Sequence, residues 1–241
     1  MKIIKLDAVN STNDFLKELA LNQSLENFTV VQANFQTKGR GQRCNKWHSK
    51  DGKNLLFSVL VKHKDLHVSD AFALNMVASL AVFSVLNTIL SDIKIKWAND
   101  IMASNEKIAG ILVENRIQKN KIVQSVFGFG INVNQLVFPA YLLKVTSLKL
   151  QTNKTYNLDV LLSEFLKVLK KQILMLENNN FSILRDRYLK ELYLLNTMSS
   201  FKSNEKIFKG KIKGISNQGK LLVAIKNDSV KEFEIKEIEF L

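Results

Sequence analysis

Lys96-Trp97-Ala98-Asn99-Asp100, followed within ten residues by Lys107-Ile108-Ala109-Gly110-Ile111-Leu112-Val113-Glu114, sets two lysines, an amide and a carboxylate among otherwise apolar positions. A strand running into a core gains no stability from such an end, because each polar group gives up hydration unless a partner or ligand replaces it. A triphosphate with its magnesium would satisfy all of them together. The competing reading is a β-hairpin whose polar turns are solvated.

A second candidate site is Lys38-Gly39-Arg40-Gly41-Gln42-Arg43. Its glycines let backbone approach a ligand closely, while Lys38, Arg40 and Arg43 bring positive charge. No Gly-x-x-x-x-Gly-Lys-Ser/Thr loop is present, and Cys44 stands where a Gly-x-Gly-x-x-Gly motif needs its third glycine. An exposed basic turn is the plain alternative. Trp47 offers a flat ring suited to stacking an adenine, or equally to core packing. Gly128-Phe129-Gly130-Ile131-Asn132 ends a strand with two glycines and an amide that both donates and accepts; a glycine bulge with a turn asparagine reads the same way.

The elements that must position these groups follow from periodicity. Strands are expected at 2–6, 29–34, 54–61, 93–97, 101–103, 107–114 and 121–129, with turns at Ser104-Asn105 and Lys119-Asn120. A helix opens after Asn10, with Phe15, Leu16, Leu19 and Ala20 at helical spacing; Ser11 and Asp14 resemble a capping box with Asp in place of Glu. Further helices are expected at 71–90, 158–177 and 181–195. A sheet meander covered by helices on one face is the natural packing. From about Met198 the pattern changes to short alternating strands at 207–215, 221–226 and 230–235, read as a small β-barrel appended to an α+β domain. The domain boundaries are therefore placed at 1–197 and 198–241.

Composition narrows the class. At 241 residues, 46% hydrophobic and 24% charged, the chain can bury a full core of an ordinary globular protein. One cysteine excludes an internal disulfide framework, and three histidines argue against a His-based metal site. The early charges of Met1-Lys2-Ile3-Ile4-Lys5 argue against a signal peptide. The uncharged stretch from Ala71 to Leu90 is interrupted by Asn75, Ser79, Ser84, Asn87 and Thr88, and so reads as a buried core helix rather than a membrane span. A cytoplasmic protein with no membrane partner is expected. The net charge of +13 is spread along the chain without an arginine-rich run, which suits either a compositional bias or an acidic protein partner.

Taken in order, Ser11-Thr12-Asn13, Gln36-Thr37-Lys38-Gly39-Arg40-Gly41, Lys96-Trp97-Ala98-Asn99-Asp100, Lys107 to Glu114 and Gly128 to Asn134 resemble the motifs of biotin–protein ligases. The resemblance covers essentially the whole chain. It implies a mixed sheet covered by helices, of the class II aminoacyl-tRNA synthetase-like, biotin/lipoate ligase type, with an SH3-like barrel at the carboxy terminus. It also implies a reaction in two steps: biotin and ATP give biotinoyl-5′-AMP and pyrophosphate, and the biotinyl group then passes to a lysine of an acceptor, typically the biotin carboxyl carrier domain of acetyl-CoA carboxylase. Such chemistry asks for Lys, Arg and Mg²⁺ to neutralise phosphate rather than for a covalent nucleophile, so Cys44 is not expected to be catalytic.

By matching position, the resemblance places Ser11, Thr12, Asn13 and Gln36 around biotin, with Gly39, Arg40, Gly41 and Gln42 as a loop closing over it. Lys107 would face the biotin carboxylate and α-phosphate, and Gly110 would allow close approach. Lys96 and Arg40 would join Lys107 in stabilising charge. Arg43, Trp47, Asn99, Asp100 and Asn132 would surround the nucleotide, with Asp100 touching magnesium. Three residues depart from the family pattern: Ala98 for proline, Gln42 for a second loop arginine, and Cys44 for glycine. A loop with fewer charges is expected to release the adenylate faster. With the first strand starting at residue 2, no amino-terminal DNA-binding domain and no operator binding are expected. A lipoate ligase is the nearest rival, but its Arg-Arg-x-x-Gly-Gly-Gly segment is absent. A basic nucleic-acid-binding protein would need aromatic residues on the barrel surface, whereas Phe201, Phe208, Phe233 and Phe240 follow core spacing.

Overall fold

Strand alternation builds the sheet that carries the site. The computed structural model describes all residues except 43, 44, 227 and 228. Strands β1 (Ile3–Val9), β2 (Val30–Gln36), β3 (Leu55–Lys62), β4 (Ile93–Lys96), β5 (Asp100–Ala103), β6 (Glu106–Gln118) and β7 (Lys121–Ile131) form one sheet in the order β1-β2-β3-β7-β6-β5-β4. Only the β1–β2 pair is parallel. At both expected turns the two residues have positive φ (48° and 65° at Ser104-Asn105, 46° and 64° at Lys119-Asn120). This is the mirror-image turn whose twist matches the flanking strands.

Val30, Val59 and Phe127 are neighbours in register and share the core cluster of helix α2 (Ala71–Leu86). Their chain neighbours Val31, Leu60 and Val126 point the other way and pack with Leu16 of α1 (Thr12–Asn22). Helices therefore cover both faces, which corrects the one-sided cover expected from the sequence. α1 lies over β2, β3 and β7. On the opposite face, α2 packs against α4 (Leu158–Glu177) and α5 (Phe181–Lys190), with the short α3 (Leu148–Thr152) nearby in sequence. The segment Val68–Leu86 is long and apolar enough to cross a membrane, yet it is mostly buried as the central core helix. That is the reading its interrupting polar residues suggested.

The carboxy-terminal strands β8 (Met198–Ser203), β9 (Lys206–Ile215), β10 (Leu221–Ala224), β11 (Val230–Phe233) and β12 (Glu239–Phe240) form an antiparallel sheet in the order β11-β10-β9-β8-β12. Among the described residues its end strands β11 and β12 do not pair with each other, so the sheet is open where a closed barrel was expected. It docks firmly on the main domain. The Trp97 indole donates to the Gly219 carbonyl at 2.9 Å, and Arg185 donates to the carbonyls of Ile215 and Ser216. Gly219, at φ +84°, leaves room for the Phe72 ring that a Cβ would overlap.

His63 provides a pH-dependent element of stability. Its Nε2 lies 2.9 Å from Ser125 Oγ, which in turn donates to Asn115 Oδ1 at 2.7 Å. Burial pushes the imidazole down from 6.5 to about 4. Between those values the unfolded chain binds a proton that the folded chain refuses, so stability is lost as pH falls through this window. The loss is at most about 3 kcal/mol. Urea unfolding at pH 7.5 and pH 4.5 should show this loss in the wild type and a smaller one in His63→Gln; equal losses would assign the acid sensitivity elsewhere.

Candidate active site: a polar pocket on the sheet

Register lays the floor of a cavity of about 500 Å³. Lys96, Asp100, Gly110, Gly130 and Leu56 are successive partners across β4, β5, β6, β7 and β3. The row beside it contains Leu112, Gly128 and Ser58. Both rows lie on the α1 face. Glycine is required in the middle of this floor because other groups rest directly on the backbone. A Cβ at Gly128 would overlap the Asn13 amide, one at Gly130 would overlap the Trp47 indole, and one at Gly110 would lie 2.9 Å from Trp47 Cζ3.

One end of the pocket is neutral. Ser11 caps α1, its hydroxyl accepting from Asp14 N at 3.4 Å. The reciprocal half of the expected capping box is not made, because the Asp14 carboxylate pairs with Arg40 and Lys17 instead. Thr12 donates through both its backbone N and its hydroxyl to Gln36 Oε1, at 2.8 and 3.1 Å. Ser58 Oγ sits 2.7 Å from the Thr12 hydroxyl and 2.6 Å from Asn13 Oδ1. Ser11, Thr12 and Asn13 line this end, with Ser58 outside the lining and bonded to Thr12 and Asn13; all four are buried, so this end presents oriented hydroxyl and amide groups without net charge.

The other end is cationic. Lys107 Nζ pairs with Asp100 Oδ1 at 2.7 Å and lies 5.7 Å from the Trp47 ring centroid. Lys96 Nζ sits 4.9 Å from the centroid of the Phe240 ring. Burial pushes the Lys96 ammonium below its ordinary pKa; Asp100 opposes this, Lys107 and Lys144 add to it, and Glu239 opposes it. Two clustered ammonium groups, one of them desolvated, make an environment that an arriving anion relieves. The Trp97–Ala98 peptide in the connecting turn is cis.

Most of the expected residues meet here: Ser11, Thr12, Asn13, Gln36, Arg40, Gly41, Gln42, Trp47, Lys96, Asn99, Asp100, Lys107 and Gly110 line one cavity. Others sit differently. Gly39 is behind the lining, where its carbonyl accepts from Trp47 N at 2.9 Å and a Cβ would meet the Trp47 carbonyl at 2.6 Å. Asn132 is also outside the lining; its amide donates to the Thr146 carbonyl at 3.0 Å. The Asn99 amide is spent on the Ile111 carbonyl at 2.6 Å, bracing the hairpin. Arg40 points toward Asp14 and Glu114 at the neutral end, rather than toward Lys96. Arg43 and Cys44 lie outside the described residues. Trp47 rests on the glycine floor, its Nε1 buried without a protein partner among the described residues.

Sequence reasoning missed the far wall. Lys236, Glu239 and Phe240, from the last six residues, close the cationic end. Nothing local marks them, since their spacing is that of any edge strand. Ser58 carried a signal that could have been used, as a lone hydroxyl in the apolar run Leu55-Leu56-Phe57-Ser58-Val59-Leu60.

The model of the biotin/lipoate A/B protein ligase family matches residues 6–132. The chain belongs to this family. It is 29% identical over 98% of its length to the bifunctional ligase/repressor BirA of Bacillus subtilis (strain 168), of which it covers 73%. Over 54% of its length it is 31% identical to the biotin–[acetyl-CoA-carboxylase] ligase of Mycobacterium tuberculosis, covering 50% of that protein. Its fold is similar to that of the biotin protein ligase from Aquifex aeolicus in complex with biotin and ATP, with a TM-score of 0.80, 27% identity, and coverage of 99% of this chain and 97% of that one. The mixed sheet with its helices is thus the ligase fold of the family, and the chain is a ligase.

Proposed function

We propose that this ligase activates biotin with ATP and transfers it to a protein lysine. The observation that carries this reading is the segregation of the pocket: a charge-balanced, hydrogen-bonding end at α1, a glycine floor, and a cationic end at Lys96 and Lys107. A ureido ring suits the first, because Ser11, Thr12 and Asn13 offer donors and acceptors in an orientation that Ser58 helps to fix. Phosphates suit the last. Lys107 would face biotin's carboxylate oxygen as it attacks the α-phosphorus and pyrophosphate leaves. Two fixed ammonium groups stabilise the charge that builds on the phosphate oxygens, without reorganising during the step. In the second step the acceptor's amine attacks the acyl carbon and AMP departs.

Magnesium fits this site only as ATP's companion. Among the described residues no group of three His, Cys, Asp or Glu side chains could cage a metal, and Asp100 is already paired with Lys107. Asp100 would touch a phosphate-bound magnesium, which supplies charge neutralisation when present. The acceptor in this reading is the biotin carboxyl carrier domain of acetyl-CoA carboxylase, and the ligase's net charge of +13 would speed its encounter with an acidic carrier. The open carboxy-terminal sheet is assigned to the SH3-like type, and a cytoplasmic setting supplies the ATP. Operator binding is not part of this reading; a salt-resistant, sequence-selective gel shift would overturn that.

Biotin-dependent exchange of labelled pyrophosphate into ATP tests the proposal, with lipoate in parallel. Exchange with biotin alone is the expected result. Exchange with lipoate alone would assign the pocket to lipoate, and exchange with neither would remove the reading. The loop departure adds an expectation. Gln42 provides one charge fewer near the cavity than an arginine would, so preformed biotinoyl-AMP should escape faster from the wild type than from Gln42→Arg. Filter-trapped adenylate chased with unlabelled ligand measures this; equal release rates would discount the loop charge.

A further inference from the structure

Glu114 lies outside the pocket lining, yet its carboxylate joins three separate segments of chain. Oε1 accepts from Lys17 Nζ at 2.7 Å and from Arg40 Nη2 at 3.1 Å. Oε2 accepts from Asn13 Nδ2 at 2.8 Å and from Arg40 Nη2 at 3.0 Å. Asp14 completes the cluster by pairing with both Arg40 and Lys17. We infer that Glu114 is a positioning residue: it clasps Arg40 and the chain around it onto helix α1 and fixes the direction of the Asn13 amide.

Asn13 could turn either end toward Ser58, whose hydroxyl both donates and accepts. An ionised carboxylate only accepts, as does the Leu112 carbonyl to which the same nitrogen donates at 3.4 Å, so Glu114, the nearer of the two, holds the Asn13 nitrogen toward β6 and leaves Oδ1 facing Ser58. Burial raises the Glu114 pKa, but hydrogen bonds from Lys17 and Asn13 and the charges of Lys17 and Arg40 more than offset it, leaving a net lowering. The carboxylate therefore stays ionised at neutral pH. The neutral end of the pocket and the Gly39–Gly41 segment are consequently coupled through one side chain that touches neither the floor nor the cationic end. Partly exposed ion pairs contribute little to global stability, so the clasp should affect the site far more than the fold.

This inference rests on the biotin reading for its kinetic arm but not for its structural arm. Limited trypsin digestion of the ligand-free protein reads how firmly the chain around Arg40 is held, without any substrate. Glu114→Gln should raise cleavage after Lys38 and Arg40 about tenfold, while its thermal midpoint stays within a few degrees of the wild type. In pyrophosphate exchange it should raise the KM for biotin about tenfold and the KM for ATP less than about twofold. Because Glu114 acts in part through Arg40, the double variant Arg40→Gln/Glu114→Gln should raise the biotin KM by less than the product of the two single effects. Glu114→Asp, which keeps the charge, should recover part of the effect. Unchanged cleavage with unchanged biotin KM, an equal rise in both KM values, or additive effects in the double variant would each overturn the clasp. Should the wild type fail to exchange with biotin, the functional reading falls, and the digestion alone decides the clasp.

Discussion

Lys107→Gln is expected to lower the turnover of biotin-dependent pyrophosphate exchange about 100- to 1,000-fold, the range for removing one pre-oriented charge-stabilising group. Its backbone is held from both sides: Lys107 N donates to the Lys144 carbonyl at 2.7 Å, and Thr146 N donates to the Lys107 carbonyl at 3.0 Å. The side chain then reaches Asp100 at 2.7 Å, so the ammonium is placed before any substrate arrives. Glutamine removes the charge while keeping a polar, hydrogen-bonding end one atom short of the ammonium. The Asp100–Lys107 pair is partly exposed, with side-chain accessibilities of 24% and 33%, and its loss should cost no more than about 1 kcal/mol of stability. Stopped-flow or isotope exchange at saturating substrates separates the outcomes. A fall in kcat marks a group that acts in the transition state. A rise in the KM for ATP with unchanged kcat would reduce Lys107 to a binding residue.

Gly130→Val should abolish high-affinity biotin binding, by about 100-fold or more, while favouring strand conformation in its own right. The Cβ alone would overlap the Trp47 indole and lie close to three of its ring atoms. Neighbouring backbone cannot retreat, because β7 is paired on both sides, with β3 and β6. Trp47 must therefore leave the floor. Its emission should shift to the red, while the other tryptophan, Trp97, stays buried and bonded to the Gly219 carbonyl. Calorimetric titration with biotin and the fluorescence spectrum together test this. Wild-type affinity with a shifted spectrum would show that Trp47 does not shape the biotin end.

Much of this was legible in the amino-acid sequence, and the reasons are local. The short apolar runs at 54–61 and 121–129, bounded by turn residues, mark strands buried on both faces. Paired asparagine-containing turns close the hairpins because those residues tolerate positive φ. Gly128 and Gly130, two residues apart, had to share a face, and the lysines of the two hairpin strands had to lie near its open end. The polar types at these positions, against an apolar background, announced a ligand.

Tertiary structure decided what no local period encodes. A pattern of two tells which residues of one strand share a face, but not which strand lies alongside or in what register. Only the assembled sheet aligned Lys96, Asp100, Gly110 and Gly130 into one row. Only the docking of the last strand brought Phe240 beneath Lys96, at 4.9 Å. The position of α1 on the second face, and with it the meeting of Asn13, Arg40 and Glu114, came from burying Leu16 against Val31, Leu60 and Val126. The sequence thus determined the chemical inventory and the faces of its strands. The packing of distant apolar surfaces determined which of those groups meet, because contacts between remote segments are selected by the burial of the whole core and carry no signature in the spacing of either segment.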